Sequence, residues 1–204
     1  MKAIFYDWGG LNIALFHVIN NFHTDYWDNL MLAGTALANH QLFALYLAIL
    51  SGLAVITVSS TPTTNVIIYQ QRTALWINTV AVFSIAYVID GYLLGVLKPL
   101  LDFPRPPLAL PITSVYVIGK PEFHHSLPSG HSSFAMLIVA SIWPLLKYKY
   151  RVIGIGFVLW VGISRISLGA HFPADVLAGW ASSLMIVLLV WWILKQSKAL
   201  CIAR

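Results

Sequence analysis

Three short polar stretches carry the residues of this chain whose types and spacing could do chemistry: Lys98 to Pro106, Pro128 to His131, and Ser164 to Asp175. They hold Lys98, Arg105 and Arg165, the histidines His131 and His171, Ser129, Gly130 and Asp175 in an otherwise strongly apolar sequence. A charged side chain costs roughly 2.5–3.5 kcal/mol at the centre of a membrane helix on insertion scales, so such a cluster is retained for a purpose. Two nearby carboxylates, Asp102 and Asp175, are too few to neutralise three cations, and an anionic ligand is the missing partner. Arginine suits bidentate contact with phosphate oxygens and lysine supplies a point charge. Ser129 is a good N-cap, Gly130 lets a ligand approach the backbone, and free N–H groups at a helix start bind phosphate. His171 and Asp175 lie four residues apart, so the carboxylate can accept from one ring nitrogen and leave the other facing the ligand. A phosphoryl group in transfer, with negative charge spread over three oxygens, matches this field.

The elements that must position these residues are membrane helices. Of 204 residues, 59% are hydrophobic and 9% charged, with a mean hydropathy of +0.79, whereas about a quarter of an average soluble domain is charged. The net charge of +5 is scattered beside apolar runs, where orientation in the bilayer explains it, and nucleic-acid binding is excluded. The single Cys201 permits no internal disulfide and no cysteine–zinc site. Met1 to Trp8, with Lys2 and Asp7, lacks a signal-peptide pattern and is expected to remain in the mature protein.

From Gly9 to Phe22 the chain is only half apolar, interrupted by Asn12, His17, Asn20 and Asn21, which suits an interfacial or re-entrant helix. A polar and aromatic knot, His23 to Asp28, follows. The apolar run from Leu30 to Val58 exceeds one span and is divided by Asn39 and His40 into a short lead-in helix and a span from Gln41 to Ser59. Thr61 to Arg72 reads as a polar connection. A second span, Ala74 to Leu97, ends where Pro99, Pro104, Pro106, Pro107 and Pro111 forbid continuous helix. His131 to Leu146, Val152 to Leu168 and Pro173 to Leu194 complete the set, separated by the basic turn Lys147 to Arg151 and followed by Lys195, Lys198 and Arg204. The expectation is an all-α, polytopic membrane bundle over residues 1–204 as one domain, with five transmembrane helices and an N-terminal interfacial helix. The alternative is six spans, the sixth through Gly9–Phe22. Arg72, the basic turn and the tail share one side, which the positive-inside rule makes cytoplasmic; all three polar stretches then share the outer face.

In type and spacing the three stretches resemble the K-x6-RP, PSGH and SR-x5-H-x3-D signature of the type 2 phosphatidic acid phosphatase family, with every signature position matched between about Ala74 and Trp192. The resemblance implies a multi-pass lipid phosphatase of the bacterial inner membrane, working without a metal or other cofactor. It assigns His171 as the nucleophile forming a phosphohistidine, Asp175 as its orienting carboxylate and His131 as the acid on the leaving group. Lys98, Arg105, Ser129, Gly130 and Arg165 resemble the phosphate-binding set. The implied partner is a lipid phosphate or diphosphate within membrane lipids, with undecaprenyl diphosphate leading. Phosphatidic acid, phosphatidylglycerol phosphate, lipid A phosphate and transfer to an acceptor alcohol are the alternatives. A transporter or binding protein for anionic lipids is the reading from another class.

Other residues read more plainly. His17, His23 and His40 are expected to be structural. Asp102 either holds Lys98 or Arg105 or lies in solvent, and Asp90, inside the second span, has no evident partner. The loop from Pro107 to Leu127, with Lys120, Glu122, His124 and His125, should shape the mouth of the site, two adjacent histidines being a weak metal signal. Gly154, Gly156, Gly162 and Gly179 suggest close helix contacts.

Overall fold

The computed structural model describes residues 6–202, with side chains described for 6–196. Lys2, Arg204 and the side chains of Lys198 and Cys201 lie outside the described residues. The ordered elements are helices: α1 (Leu11–Asn20), α2 (Asp25–Leu37), α3 (Phe43–Ser59), α4 (Val66–Leu101), the single turn α5 (Pro106–Ala109), α6 (Gly130–Ile142), α7 (Tyr148–Ser167) and α8 (Pro173–Ile202). Local chemistry sets several of their ends. The Thr24 hydroxyl accepts from the Trp27 N–H at 3.1 Å, with Asp25 and Asp28 in the first turn of α2. The Asn65 side chain likewise accepts from Ile68 and starts α4. Pro106 occupies the first turn of α5, where a missing N–H is harmless.

Among the described residues four helical stretches are long and apolar enough to cross a membrane: His40–Ser59, Val66–Ala109, Tyr148–Ser167 and Pro173–Gln196. The remaining expected span, α6 with its 3-10 continuation Trp143–Leu145, is shorter. It is also the best covered. Phe134, Ala135 and Leu137 are fully buried, and α6 packs against α4, α7 and α8, so its flanks face protein. The chain is a multi-pass helical membrane protein. The Gly9–Phe22 segment forms α1 and the lead-in helix is α2; their 10 and 13 residues reach only about 15 and 20 Å at 1.5 Å per residue, short of the roughly 30 Å hydrocarbon core. No sixth span runs through Gly9–Phe22.

Two boundaries differ from expectation. The 36-residue α4, about 54 Å long, already includes Val66 to Arg72, so most of the presumed polar connection is helix standing clear of the apolar core. Pro99 lies inside the last turn of α4 and does not break it; the helix stops at Asp102, whose φ of 39° is left-handed and whose N–H bonds the Lys98 carbonyl at 3.0 Å.

Two polar residues of α1 have partners within the fold. Asn12 and Asn20 are buried. Asn12 Oδ1 accepts from the Ala174 N–H in the first turn of α8 at 3.0 Å, and Asn20 bonds the Tyr116 backbone in both directions and the Ser167 carbonyl at 2.9 Å. α1 therefore clamps the ends of α7 and α8. The core centres on Val82, Phe83, Phe134, Leu137 and Val187, flanked by the stacked Phe43–Tyr87 pair with ring centroids 3.7 Å apart. Beside it Asp90 finds its partners: Ser133 on α6 donates at 2.6–2.7 Å and Ser183 on α8 at 2.8 Å, which ties three helices together. The glycine reading holds at three positions. A Cβ on Gly179 would lie 2.5 Å from the Ser129 carbonyl oxygen, and one on Gly154 or Gly162 would press on Val139 or Val176. Gly156 has nothing within 4 Å, so close packing does not explain it.

Candidate active site

The loop between α7 and α8 folds back on Arg165. Gly169 takes a φ of +71°, which glycine adopts without strain, and the Ala170 and His171 N–H groups both donate to the Arg165 carbonyl at 3.1 Å. Asp175, in the first turn of α8, then accepts from the Phe172 N–H at 2.9 Å and lies 3.3 Å from His171 Nδ1 through the same Oδ2 atom. Two residues outside the signature complete its shell: the Ser126 hydroxyl donates to Oδ2 at 2.5 Å and the Tyr6 hydroxyl to Oδ1 at 2.8 Å. Tyr6 is steadied by stacking on Phe103, centroids 4.3 Å apart. Burial and the Asp175 carboxylate push the Tyr6 phenol above its ordinary pKa, so it is a donor. Ser126 arrives because the loop zips against the end of α4: the Arg105 N–H donates to the Phe123 carbonyl at 2.8 Å and the Ser126 N–H to the Phe103 carbonyl at 2.9 Å.

His171 is 1% exposed. Burial first, then the charges of Arg105, Arg165 and Lys98, hold its pKa well below the usual histidine value. It is thus a neutral imidazole, with Nδ1 on the carboxylate and Nε2 3.2 Å from Arg105 Nη1. Arg105 is fixed by Nε to the His124 carbonyl at 2.9 Å, by Nη1 to the Ala170 carbonyl at 3.2 Å and to Glu122 at 2.7 Å. Arg165 reaches Thr35 on α2 through Nη1 at 2.5 Å, while its Nε is buried without a hydrogen-bond partner. An orphaned guanidinium N–H is costly unless something accepts from it. A cavity of about 210 Å³ lies beside it, with His131, Lys120, Glu122, Thr35 and Ala170 in its walls.

The structure thus gathers Arg105, Arg165, His171 and Asp175 directly, brings the Lys98 charge to bear on them, and turns His131 to the cavity. Ser129 and Gly130 sit at the start of α6 but are buried. The Ser129 hydroxyl accepts from Ser132 at 3.0 Å instead of capping the helix, and its N–H donates to the Asp175 carbonyl at 2.9 Å. His40 braces the turn from beneath, its Nε2 2.9 Å from the Gly130 carbonyl, in keeping with a structural role. Asp102 holds neither Lys98 nor Arg105; it faces His124 and His125 at 3.4 and 3.2 Å. Glu122 borders the cavity, as expected of the loop that carries it, whereas Tyr6, Thr35 and Ser126 had no individual signal in the sequence, since each meets the site through a contact with a residue remote from it in the chain.

The described residues thus form an all-helical membrane bundle with a buried His171–Asp175 pair beside Arg105. The PAP2 superfamily profile matches residues 79–199, and the chain belongs to that superfamily. It is 33% identical over 108 residues to a lipid A 1-phosphatase of Rhizobium johnstonii, covering 52% of this chain and 43% of that one. An undecaprenyl-diphosphatase of Sulfolobus acidocaldarius is 29% identical over 124 residues, 58% of this chain and 54% of that one. The chain spans about half the length of these relatives. The crystal structure of Aquifex aeolicus LpxE superposes with a TM-score of 0.71 at 23% identity, over 89% of this chain and 94% of that one, a likeness of fold.

Proposed function

We propose that this protein is a lipid phosphatase that removes a terminal phosphate through a phosphohistidine. The observation that carries the reading is the His171 ring, held at Nδ1 by Asp175 and presenting Nε2 to Arg105, with the charges of Arg165 and Lys98 also acting on the ring. The Nε2 lone pair forms the N–P bond while the bond from phosphorus to the lipid-side oxygen breaks, and His131 gives that oxygen its proton. Asp175 stabilises the charge that develops on the His171 ring. Water then attacks phosphorus, His131 takes its proton, and the N–P bond breaks to restore His171. The cations, including the unpartnered Arg165 Nε, stabilise the equatorial oxygens throughout. The first-turn N–H groups of α6, which lack intrahelical partners, add donors in the same region. No step needs a metal.

All three polar stretches begin or end spans, so phosphate can stay at the headgroup level while the lipid tail remains in the bilayer. By the positive-inside rule that level is the outer face of a bacterial inner membrane. The relatives named above share a lipid bearing phosphate and differ in the lipid; undecaprenyl diphosphate is our leading substrate. Phosphate release from a panel of undecaprenyl diphosphate, phosphatidic acid, phosphatidylglycerol phosphate and lipid A, with chelator present, tests the proposal. Release from at least one lipid is expected, with loss in His171→Ala; chelator-sensitive release that survives His171→Ala would overturn it.

A further inference from the structure

One nitrogen of Arg105 has more acceptors than hydrogens to give. Its Nη1 carries two hydrogens and faces three acceptors: the Ala170 carbonyl and His171 Nε2, both at 3.2 Å, and Glu122 Oε2 at 2.7 Å. The shortest contact comes from the most accessible partner. The Arg105 side chain is 7% exposed and that of Glu122 is 60%, so a carboxylate on an irregular loop reaches down onto a buried cation. Glu122 also borders the cavity that holds His131 and Arg165, and its charge acts on Lys98 and Arg165 as well as on Arg105. It rests where the cations converge, on the seat that the phosphatase reading gives to a phosphate.

A cation cradle at the headgroup level meets a competitor problem. The commonest anion there is the phosphodiester of bulk lipids, with one negative charge, and three open cations would bind it. Glu122 offers the same single charge, tethered to the site, so a diester gains little by displacing it. A terminal phosphate carries about −1.5 to −2 charge at pH 7 and three acceptor oxygens, and can displace the carboxylate. We propose that Glu122 is a specificity residue: its carboxylate shields the cation cradle from singly charged phosphodiester headgroups and yields to the terminal phosphate of a monoester or diphosphate lipid. Its departure also frees Arg105 to turn from His171 Nε2 to the phosphate, which exposes the nucleophilic lone pair as substrate arrives.

The inference rests on the phosphatase reading, and the test separates the two. Phosphate release by the full-length protein in neutral detergent is measured on farnesyl diphosphate and phosphatidic acid, with dioleoyl phosphatidylglycerol titrated in, for wild type, Glu122→Gln and Glu122→Ala. Direct phosphatidylglycerol binding is followed by native mass spectrometry. Both variants should show a KM lowered several-fold without the diester, inhibition by phosphatidylglycerol at a roughly tenfold lower mole fraction, and diester binding that wild type lacks. Equal inhibition and equal binding in wild type and variants would overturn the shield. If wild type releases phosphate from neither substrate nor from the wider panel, the phosphatase reading is what fails, and the binding comparison still decides whether Glu122 excludes diesters.

Discussion

Replacing Ser126 by alanine tests whether the signature alone makes the site. Ser126 is fully buried and its hydroxyl donates to Asp175 Oδ2, the same oxygen that faces His171 Nδ1. A hydrogen bond to a charged group contributes about 1.5–3 kcal/mol. If all of it acts on the placement of Asp175 in the transition state, kcat falls roughly 10- to 150-fold at 1.36 kcal/mol per decade. Asp175 keeps its bonds from Tyr6 and the Phe172 N–H, so the lower part of that range is expected. KM should change by less than about threefold, because the cations proposed to hold phosphate are untouched. The assay is steady-state phosphate release at fixed detergent, with melting curves to confirm a folded variant. Tyr6→Phe should show a smaller loss, and the double variant should be non-additive because both hydroxyls hold one carboxylate. A kcat for Ser126→Ala within about twofold of wild type would refute the argument that Asp175 depends on this shell.

Gly179→Ala should lower the melting temperature by an amount equivalent to about 1–3 kcal/mol and reduce activity, since its Cβ would meet the backbone of Ser129 beneath the site. Gly156→Ala, with open space around it, should be neutral or slightly stabilising, by up to about 1 kcal/mol, and thermal melts of the pair decide it. The His171 pKa is depressed, so below pH 6.5 the unfolded chain takes up a proton at this position while the folded chain does not. Stability from the neutral ring is present above that pH and is lost as pH falls. Melting temperatures at pH 7 and 5.5 should drop more for wild type than for His171→Gln; equal drops would show that His171 does not titrate in this way.

The cations, histidines and Asp175 were legible in the sequence because the signature confines them to three short runs, and the spans because apolar length is a local property. What was hidden depends on contacts across the fold. Tyr6 and Asp175 are 169 residues apart, and Asn12 and Ala174 are 162 apart, so no periodicity or spacing links them. The asparagines of α1 illustrate the cost: polar residues in a half-apolar segment suit an interface equally well until their partners at the ends of α7 and α8 are known. For Asp102 the sequence left a contact with Lys98 or Arg105 and a place in solvent equally open; the left-handed end of α4 turns its half-exposed carboxylate to His124 and His125. The shortness of α6 was concealed by its composition, since a helix walled by other helices is as apolar as one that meets lipid.

The Asp90 clasp also bears on how the protein is made. Chains enter the bilayer from the N-terminus, so α4 delivers its carboxylate before Ser133 arrives on α6, and Ser183 follows only with α8. Until then an acid sits in the membrane without these donors, at a cost of a few kcal/mol. Ser133 lies two residues beyond His131, and α8 brings Asp175. The helix that completes the clasp therefore also completes the His171–Asp175 pair, and a nascent chain stalled before α8 lacks both.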